Sequence, residues 1–278
     1  MFSKALLNGT YKNGRSGHLT DEHEKAENHR FKTEHLFKNK KIPKELYATR
    51  LIQHFLIIKA LEIHLRNLST SAKSEINAFF ALSYLEDLWR SLGIEHDLQQ
   101  LNVDPNNVSD DEIANSTTNY LKNIEKFPPK ILLAHFLMHI AGFMHGGNII
   151  RTKYIEPSNL LTSYQIPMEQ YDFKNAFFSI GKNSPIGLYQ DMIKEVDNIV
   201  LDENEYEEIL EQCKSIYQTM ADIYDDLCEM HFHQPIQFGH SFAVLGVSLF
   251  ILAVFLKLMA NFEYSMSIPT SQLPALGP

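Results

Sequence analysis

Apolar residues recur every three or four positions along most of the chain, and no run alternates with a period of two. A period near 3.6 is that of an α-helix with one buried face, so the sequence predicts an all-α fold. Thr20 precedes two acidic residues, which is typical of a helix start, and Pro43 suits the first turn of the helix that it opens. The pattern predicts helices over residues 19–35, 43–69, 72–93, 109–125, 129–154, 184–199 and 203–230.

The longest break in the helical pattern is the stretch 155–185. It contains Pro157, Pro167, Gly181 and Pro185 together with several Ser and Asn residues. Proline and glycine at this density favour turns and irregular backbone. The sequence therefore predicts a long loop there.

The C-terminal part of the chain has a different character. Phe242–Leu256 carries no charged residue, and the apolar character continues to Ala260 past Lys257 alone. A helix of nineteen residues is about 28 Å long, which is close to the hydrocarbon thickness of a bilayer. We therefore predict a hydrophobic tail that anchors the protein to a membrane. A helix that closes the core, or a dimer interface, is the alternative.

Composition narrows the classes of function. The net charge of the 278-residue chain is −9, and no dense basic stripe accompanies it, which argues against nucleic-acid binding. The two cysteines are too few for a disulfide framework and suit a reducing compartment. The N-terminal segment lacks the apolar core of a secretory signal. We expect a cytoplasmic protein that is membrane-associated through its C-terminus.

Thirteen histidines raise the question of a metal site. A di-iron bundle needs the pattern Glu-x-x-His on two helices, and the sequence does not contain it. His135 and His139 are four residues apart and could face one zinc ion, but no carboxylate lies near them in sequence. The chain also lacks the glycine-rich and nucleophile motifs of nucleotide-binding proteins and hydrolases.

The segment AHFLMHIAGFMHGGN, Ala134 to Asn148, places three glycines in an apolar helix. Each glycine costs about 1 kcal/mol relative to alanine, so the helix needs a reason to keep them. One reason is a planar macrocycle such as haem, which needs the helix backbone to approach its face closely. Close packing between helices through small residues is the other, and this segment alone does not decide between them.

Two motifs resemble those of the haem oxygenase family. HEKAENHRF, His23 to Phe31, is similar to the helix that supplies the proximal histidine in that family, and AHFLMHIAGFMHGGN resembles its distal helix. QHFLIIKALE and SPIGLYQDM resemble two further segments. The likeness covers about residues 15–230. It implies a haem-oxygenase-like multi-helix domain over residues 15–233, preceded by an N-terminal extension (1–14) and followed by the hydrophobic tail (234–278).

The resemblance also implies a cofactor and a site. The cofactor is haem (iron protoporphyrin IX), and His23 is the residue that would ligate its iron. Glycines of the distal helix would lie over the opposite face of the macrocycle. The residues that the resemblance implies for haem binding are His23, Glu27, Gly142, Phe143, Gly146 and Gly147.

The distal side departs from the family pattern. Phe143 stands where active members have a carboxylate that holds proton-delivering water, and His139 stands at the position of a distal arginine. Ile58 falls on the position of a distal tyrosine, and Met220 on that of an asparagine. A phenyl ring neither donates nor relays a proton. Loss of these polar groups predicts weak oxygen activation.

The positions that bind the haem propionates in the family also differ. Ile186 and Gln190 replace a lysine and an arginine around Tyr189. Ser16 and Thr20 replace lysines before the proximal histidine. These changes predict weaker clamping or a tilt of the haem.

Three hypotheses follow. The first is a protein that binds haem without cleaving it efficiently, such as a carrier, store or sensor. The second is a working haem oxygenase that converts haem to biliverdin, iron and carbon monoxide, takes electrons from a reductase, and uses His139 or His145 as its proton path. The third is a helical interaction module that has lost haem.

Overall fold

The computed structural model describes residues 1–15, 17–70, 75–182 and 184–232. Within these ranges the chain forms eleven α-helices and no strand beyond an isolated bridge between Tyr11 and Leu19. The prediction of an all-α fold is confirmed. The helices are α1 Phe2–Thr10, α2 Asp21–Glu27, α3 Lys44–Ser69, α4 Asn77–Phe80, α5 Ser91–Gln100, α6 Asn115–Ile124, α7 Pro129–Ile150, α8 Glu156–Asn159, α9 Lys174–Ser179, α10 Pro185–Val196 and α11 Glu203–Phe232.

Helices α3 and α7 form the centre of the domain. α3 packs against α5, α6 and α7, and α7 also contacts α10. Both helices bury side chains around much of their circumference, as expected for helices that have neighbours on several sides. α7 passes Gly142, Gly146 and Gly147 without interruption and ends in a π-helical turn, Arg151–Ile155.

The segment 1–14, expected to be an extension, contains the helix α1. Phe2, Ala5, Leu6 and Gly9 are buried on one side of α1. Asp197, just past the end of α10, accepts hydrogen bonds from the backbone N–H and the hydroxyl of Ser3 at 2.8 and 2.7 Å. The segment is therefore an integrated part of the helical domain.

Two other segments differ from the predicted elements. The single helix expected over 72–93 is replaced by α4, a 3-10 turn at Leu85–Leu88 and the start of α5. The helix expected over 19–35 ends at Glu27 and resumes as a π-helical turn, Phe31–Leu36. The predicted loop 155–185 contains the short helices α8 and α9.

The chain divides into two units, Met1–Met230 and His231–Pro278, and the helical domain is the first of them. The predicted membrane tail lies outside the described residues. Among the residues that are described, no helix has the length and apolar character needed to cross a membrane.

Candidate functional site

The site is built around His23, in the first turn of α2. Its Nδ1 lies 3.2 Å from the backbone carbonyl oxygen of Thr10. Because a carbonyl only accepts, Nδ1 carries the proton, and Nε2 keeps the lone pair that a metal requires. Histidines that bind metals are commonly fixed by such a hydrogen bond from the other ring nitrogen. His23 is therefore oriented as an axial ligand would be.

Aromatic rings enclose the imidazole of His23. The ring of Tyr217, from α11, stacks on it with centroids 4.0 Å apart and planes 12° apart, and Tyr11 meets it edge-on at 6.2 Å. Burial lowers the pKa of His23 below its ordinary value of 6.5, although the Thr10 carbonyl and Glu27 oppose the shift. The ring is therefore neutral at neutral pH, which is the form that binds a metal.

Thr10 joins the His23 motif to α7. Its hydroxyl oxygen accepts a hydrogen bond from the Tyr217 hydroxyl at 3.4 Å and lies 3.8 Å from the sulfur of Met138. Met138 and Gly142 are four residues apart on α7 and so share a face of that helix. The two motifs that are distant in sequence thus meet around the end of α1.

The three glycines of α7 have different surroundings. A Cβ atom built at Gly142 or Gly146 would meet no heavy atom of the described residues within 4 Å outside its own turn of the helix. A Cβ at Gly147 would come within 2.3 Å of the Tyr171 ring. Gly142 and Gly146 therefore leave room for a flat ligand against the helix, while Gly147 permits packing against Tyr171. The two open glycines fit the planar macrocycle better than they fit helix packing.

Phe143 is buried, and its ring packs against two other rings. Its centroid lies 5.8 Å from that of His54 and 6.1 Å from that of Tyr171. The side chain that the resemblance puts at the position of the distal carboxylate is thus an aromatic ring, which has no proton to donate.

His139 and His135 belong to one hydrogen-bonded group with Tyr120. The Tyr120 hydroxyl lies 2.5 Å from Nδ1 of His135 and 3.4 Å from Nε2 of His139, and Nε2 of His135 lies 3.0 Å from the Gln212 side-chain oxygen. Burial lowers the pKa of His135 to about 3 and that of His139 to about 4. Both are neutral links between α6, α7 and α11. The described residues hold no cluster of three His, Cys, Asp or Glu side chains suited to a metal ion.

The other predicted residues lie at the edges of this site. His145 is exposed and meets the ring of Tyr189, on α10, edge-on at 4.9 Å. Glu27 forms a 2.5 Å ion pair with Lys32. Ile186 and Gln190 are exposed and carry no charge. The hydroxyl of Thr20 donates to the carbonyl oxygen of Gly9 at 3.2 Å. Ser16 lies outside the described residues.

Sequence reasoning missed two polar residues of α3, Arg50 and His54. They are 5% and 6% exposed, and Nε and Nη1 of Arg50 and both ring nitrogens of His54 make no hydrogen bond to any described residue. With Ile58, which is fully buried, they follow the spacing i, i+4, i+8 of one helix face. The signal available in the sequence was the helical spacing of two basic residues and an isoleucine, which puts all three on one face of α3.

Comparison with known proteins identifies the fold. The family model described as Heme oxygenase matches residues 18–226. The structure of heme oxygenase from Leptospira interrogans is 19% identical, with a TM-score of 0.61 over 80% of this chain and 98% of that one.

Two structures from Synechocystis sp. PCC 6803 are also similar. Heme oxygenase-1, in complex with heme, is 16% identical, with a TM-score of 0.63 over 91% of this chain and 99% of that one. Heme oxygenase-2, in complex with heme and NO, is 19% identical, with a TM-score of 0.63 over 82% and 86%. A search of curated proteins found no match. Since the family model spans most of the sequence, the chain belongs to the haem oxygenase family.

Proposed function

We propose that this protein binds haem between His23 and the open face of α7, and that it cleaves haem poorly or not at all. The observation that carries the proposal is the orientation of His23. Its Nδ1 is fixed by the Thr10 carbonyl, which leaves Nε2 for iron. The open space beside Gly142 and Gly146 supports the same function. The chain belongs to the haem oxygenase family, and the two similar structures from Synechocystis contain heme, which also supports the proposed haem binding.

The expectation of poor cleavage rests on the side chains of the distal helix. Haem supplies the redox chemistry by which haem oxygenases activate dioxygen, and the protein must supply protons to it. Phe143 has none to give, and the ring of His139 bonds to Tyr120. His145 stands against Tyr189 at the surface. A working oxygenase, served by a reductase, would need a proton path that these contacts do not offer.

A haem titration tests binding. We expect ferric haem to bind near one equivalent with a shifted Soret band, and His23→Ala to change the spectrum and weaken binding. His18→Ala is the matched control, because His18 is an exposed histidine five residues away. Affinity should decrease as the pH drops through the histidine range, since protonated imidazole does not bind iron. No Soret change in the unmodified protein would overturn the proposal and favour the haem-free interaction module.

We also propose that the hydrophobic tail, 234–278, anchors the domain to a membrane from the cytoplasmic side. The uncharged run Phe242–Leu256 supports this. Truncation at Pro235 should move the protein from the membrane fraction to the supernatant. If the full chain is already found as a monomer in the supernatant, the tail does not serve as an anchor.

A further inference from the structure

Three basic side chains, Lys32, Arg50 and His54, lie buried near one another, and we call them the inner basic cluster. Their exposed fractions are 9%, 5% and 6%. Burial lowers the pKa of His54 most, and the nearby positive charges of Arg50 and Lys32 lower it further. Arg50 and His54 are one helical turn apart on α3, and Lys32 comes from the π-helical turn after α2.

The cluster lacks enough acceptors of its own. Nζ of Lys32 pairs with Glu27, but Arg50 forms no ion pair within the described ranges, and its Nε and Nη1 have no hydrogen-bond partner there. His54 likewise has two unpartnered ring nitrogens. A buried charge is costly unless an opposite charge or hydrogen bonds compensate for it. The Tyr224 hydroxyl hydrogen-bonds to the guanidinium of Arg50, but it carries no negative charge. A buried cation with two unpartnered nitrogens and no ion pair therefore indicates an anionic partner that is not part of the described chain.

The inner basic cluster adjoins the candidate haem site on two sides. Glu27, one turn after His23 on α2, forms the 2.5 Å ion pair with Lys32, and the charge of Arg50 also helps to lower the pKa of Glu27. On α7, the ring of Phe143, next to Gly142, lies 5.8 Å from His54. By contrast, Ile186 and Gln190 at the surface offer no cation for a carboxylate. Cationic side chains are thus buried beside the site, in the inner basic cluster, and are missing from the two surface positions 186 and 190.

We propose that Arg50, assisted by Lys32, binds a carboxylate of the tetrapyrrole, so that at least one haem propionate points into the protein. The inference rests on the proposed haem binding and adds to it the orientation of the ligand. Guanidinium donors form a fork that matches a carboxylate in a bidentate manner. Burial acts to lower the pKa of Arg50, but the neighbouring hydroxyls of Tyr224, Tyr171 and Tyr47, the first of which hydrogen-bonds to the guanidinium, raise the pKa above its ordinary value. The group therefore stays charged.

The experiment compares binding of haem with binding of haem dimethyl ester, in which both carboxylates are neutral. We expect the unmodified protein to prefer the free acid by roughly tenfold or more, as for a charge-assisted hydrogen bond in a buried site. The preference should persist in about 1 M salt, because buried pairs are weakly screened. In Arg50→Met the preference should disappear, and Arg50→Lys should restore part of it.

Lys182→Met is the matched control, because Lys182 is an exposed cation that touches Gly187 near the start of α10. It should leave the preference unchanged. The inward orientation would be overturned if the preference for the free acid survives in Arg50→Met, or if it is lost in salt or in Lys182→Met. None of these results would contradict haem binding itself. If Arg50→Met fails to fold, the salt dependence of the unmodified protein decides the matter. Absence of a His23-dependent Soret band is a different result, and it overturns the proposed function.

Discussion

Two glycines of α7, five residues apart, meet opposite surroundings. Gly142 faces open space, and Gly147 faces the ring of Tyr171. In an ordinary helix, replacing either glycine with alanine would raise the free energy of unfolding by about 1 kcal/mol. The different neighbours predict different reasons for keeping glycine, namely a ligand at Gly142 and packing at Gly147.

This difference predicts opposite results for the same substitution. Gly142→Ala should raise the free energy of unfolding by about 1 kcal/mol through helix propensity and weaken haem binding. Gly147→Ala should lower the free energy of unfolding by about 1–3 kcal/mol, because the new methyl group collides with Tyr171. Chemical denaturation and haem titration of the two variants measure this. Equal effects of the two substitutions on haem affinity would contradict the assignment of Gly142 to the ligand face.

The group of His135, His139 and Tyr120 predicts a pH dependence of stability. His139 has a pKa of about 4 in the folded chain and an ordinary value of 6.5, so between these values the unfolded chain binds more protons. The contribution of His139 to the free energy of unfolding is therefore fully present above pH 6.5. It decreases as the pH falls toward 4, by on the order of 3 kcal/mol. His135, with a pKa of about 3, acts in the same direction.

Urea denaturation between pH 4 and pH 7 should show this decrease, and His139→Gln should make it shallower. Asp97 opposes the trend, because burial raises its pKa to about 6 and the folded chain then binds more protons between pH 3.8 and 6. Asp97→Asn should therefore steepen the decrease in that range. A slope that is the same in His139→Gln and in the unmodified chain would show that this histidine is not held neutral.

At the scale of elements, α1 is one of the helices that the sequence pattern did not predict. It has only nine residues, and isolated helices of that length are marginal in water. Its stability comes from contacts far away in sequence, such as those of Ser3 with Asp197 and of Gly9 with Cys213. By contrast, α3, α7 and α11 have 22 to 30 residues each, and their long periodic patterns predicted them well.

The contact between α1 and α11 yields a test of that element. A Cβ at Gly9 would lie 2.3 Å from Cβ of Cys213, so Gly9→Val should push α1 away from α11. Because Thr10 holds His23 at the end of the same helix, the variant should lose both stability and haem affinity. The thiol of Cys213, whose pKa burial raises to about 12, should also react faster with a thiol reagent. Leu7→Val, at an exposed position of α1, is the control and should change neither property.

The candidate site was partly predictable, because its two glycine and histidine motifs are continuous in sequence. Nδ1 of His23 bonds to the Thr10 carbonyl, and open space lies beside Gly142 and Gly146, which agrees with the haem site that the motifs predict. The role of Thr10, and the unpartnered state of Arg50 and His54, depend on how α1 and α3 pack and leave little trace in sequence. Periodicity shows that a position faces inward, but it does not show what the side chain meets there.

At the scale of the whole molecule, the chain has the haem oxygenase fold, and we propose that the chemistry of its distal side differs. The domain matches haem oxygenases at TM-scores of 0.61 and 0.63 with 16–19% identity. Within that fold Phe143, Arg50 and Lys32 are buried, and the resemblance puts Phe143 at the position of the distal carboxylate. We therefore propose that this molecule holds haem and delivers protons to it poorly.

The measurement that tests this account most directly is turnover of the haem complex. The protein loaded with one equivalent of haem would be supplied with dioxygen and a reductase, and its absorption spectrum followed. We predict a Soret band that persists and biliverdin formation roughly 10²–10⁴ slower than in a haem oxygenase with the distal carboxylate, the range expected for loss of a general acid. Biliverdin, iron and carbon monoxide formed over many rapid turnovers would contradict the account.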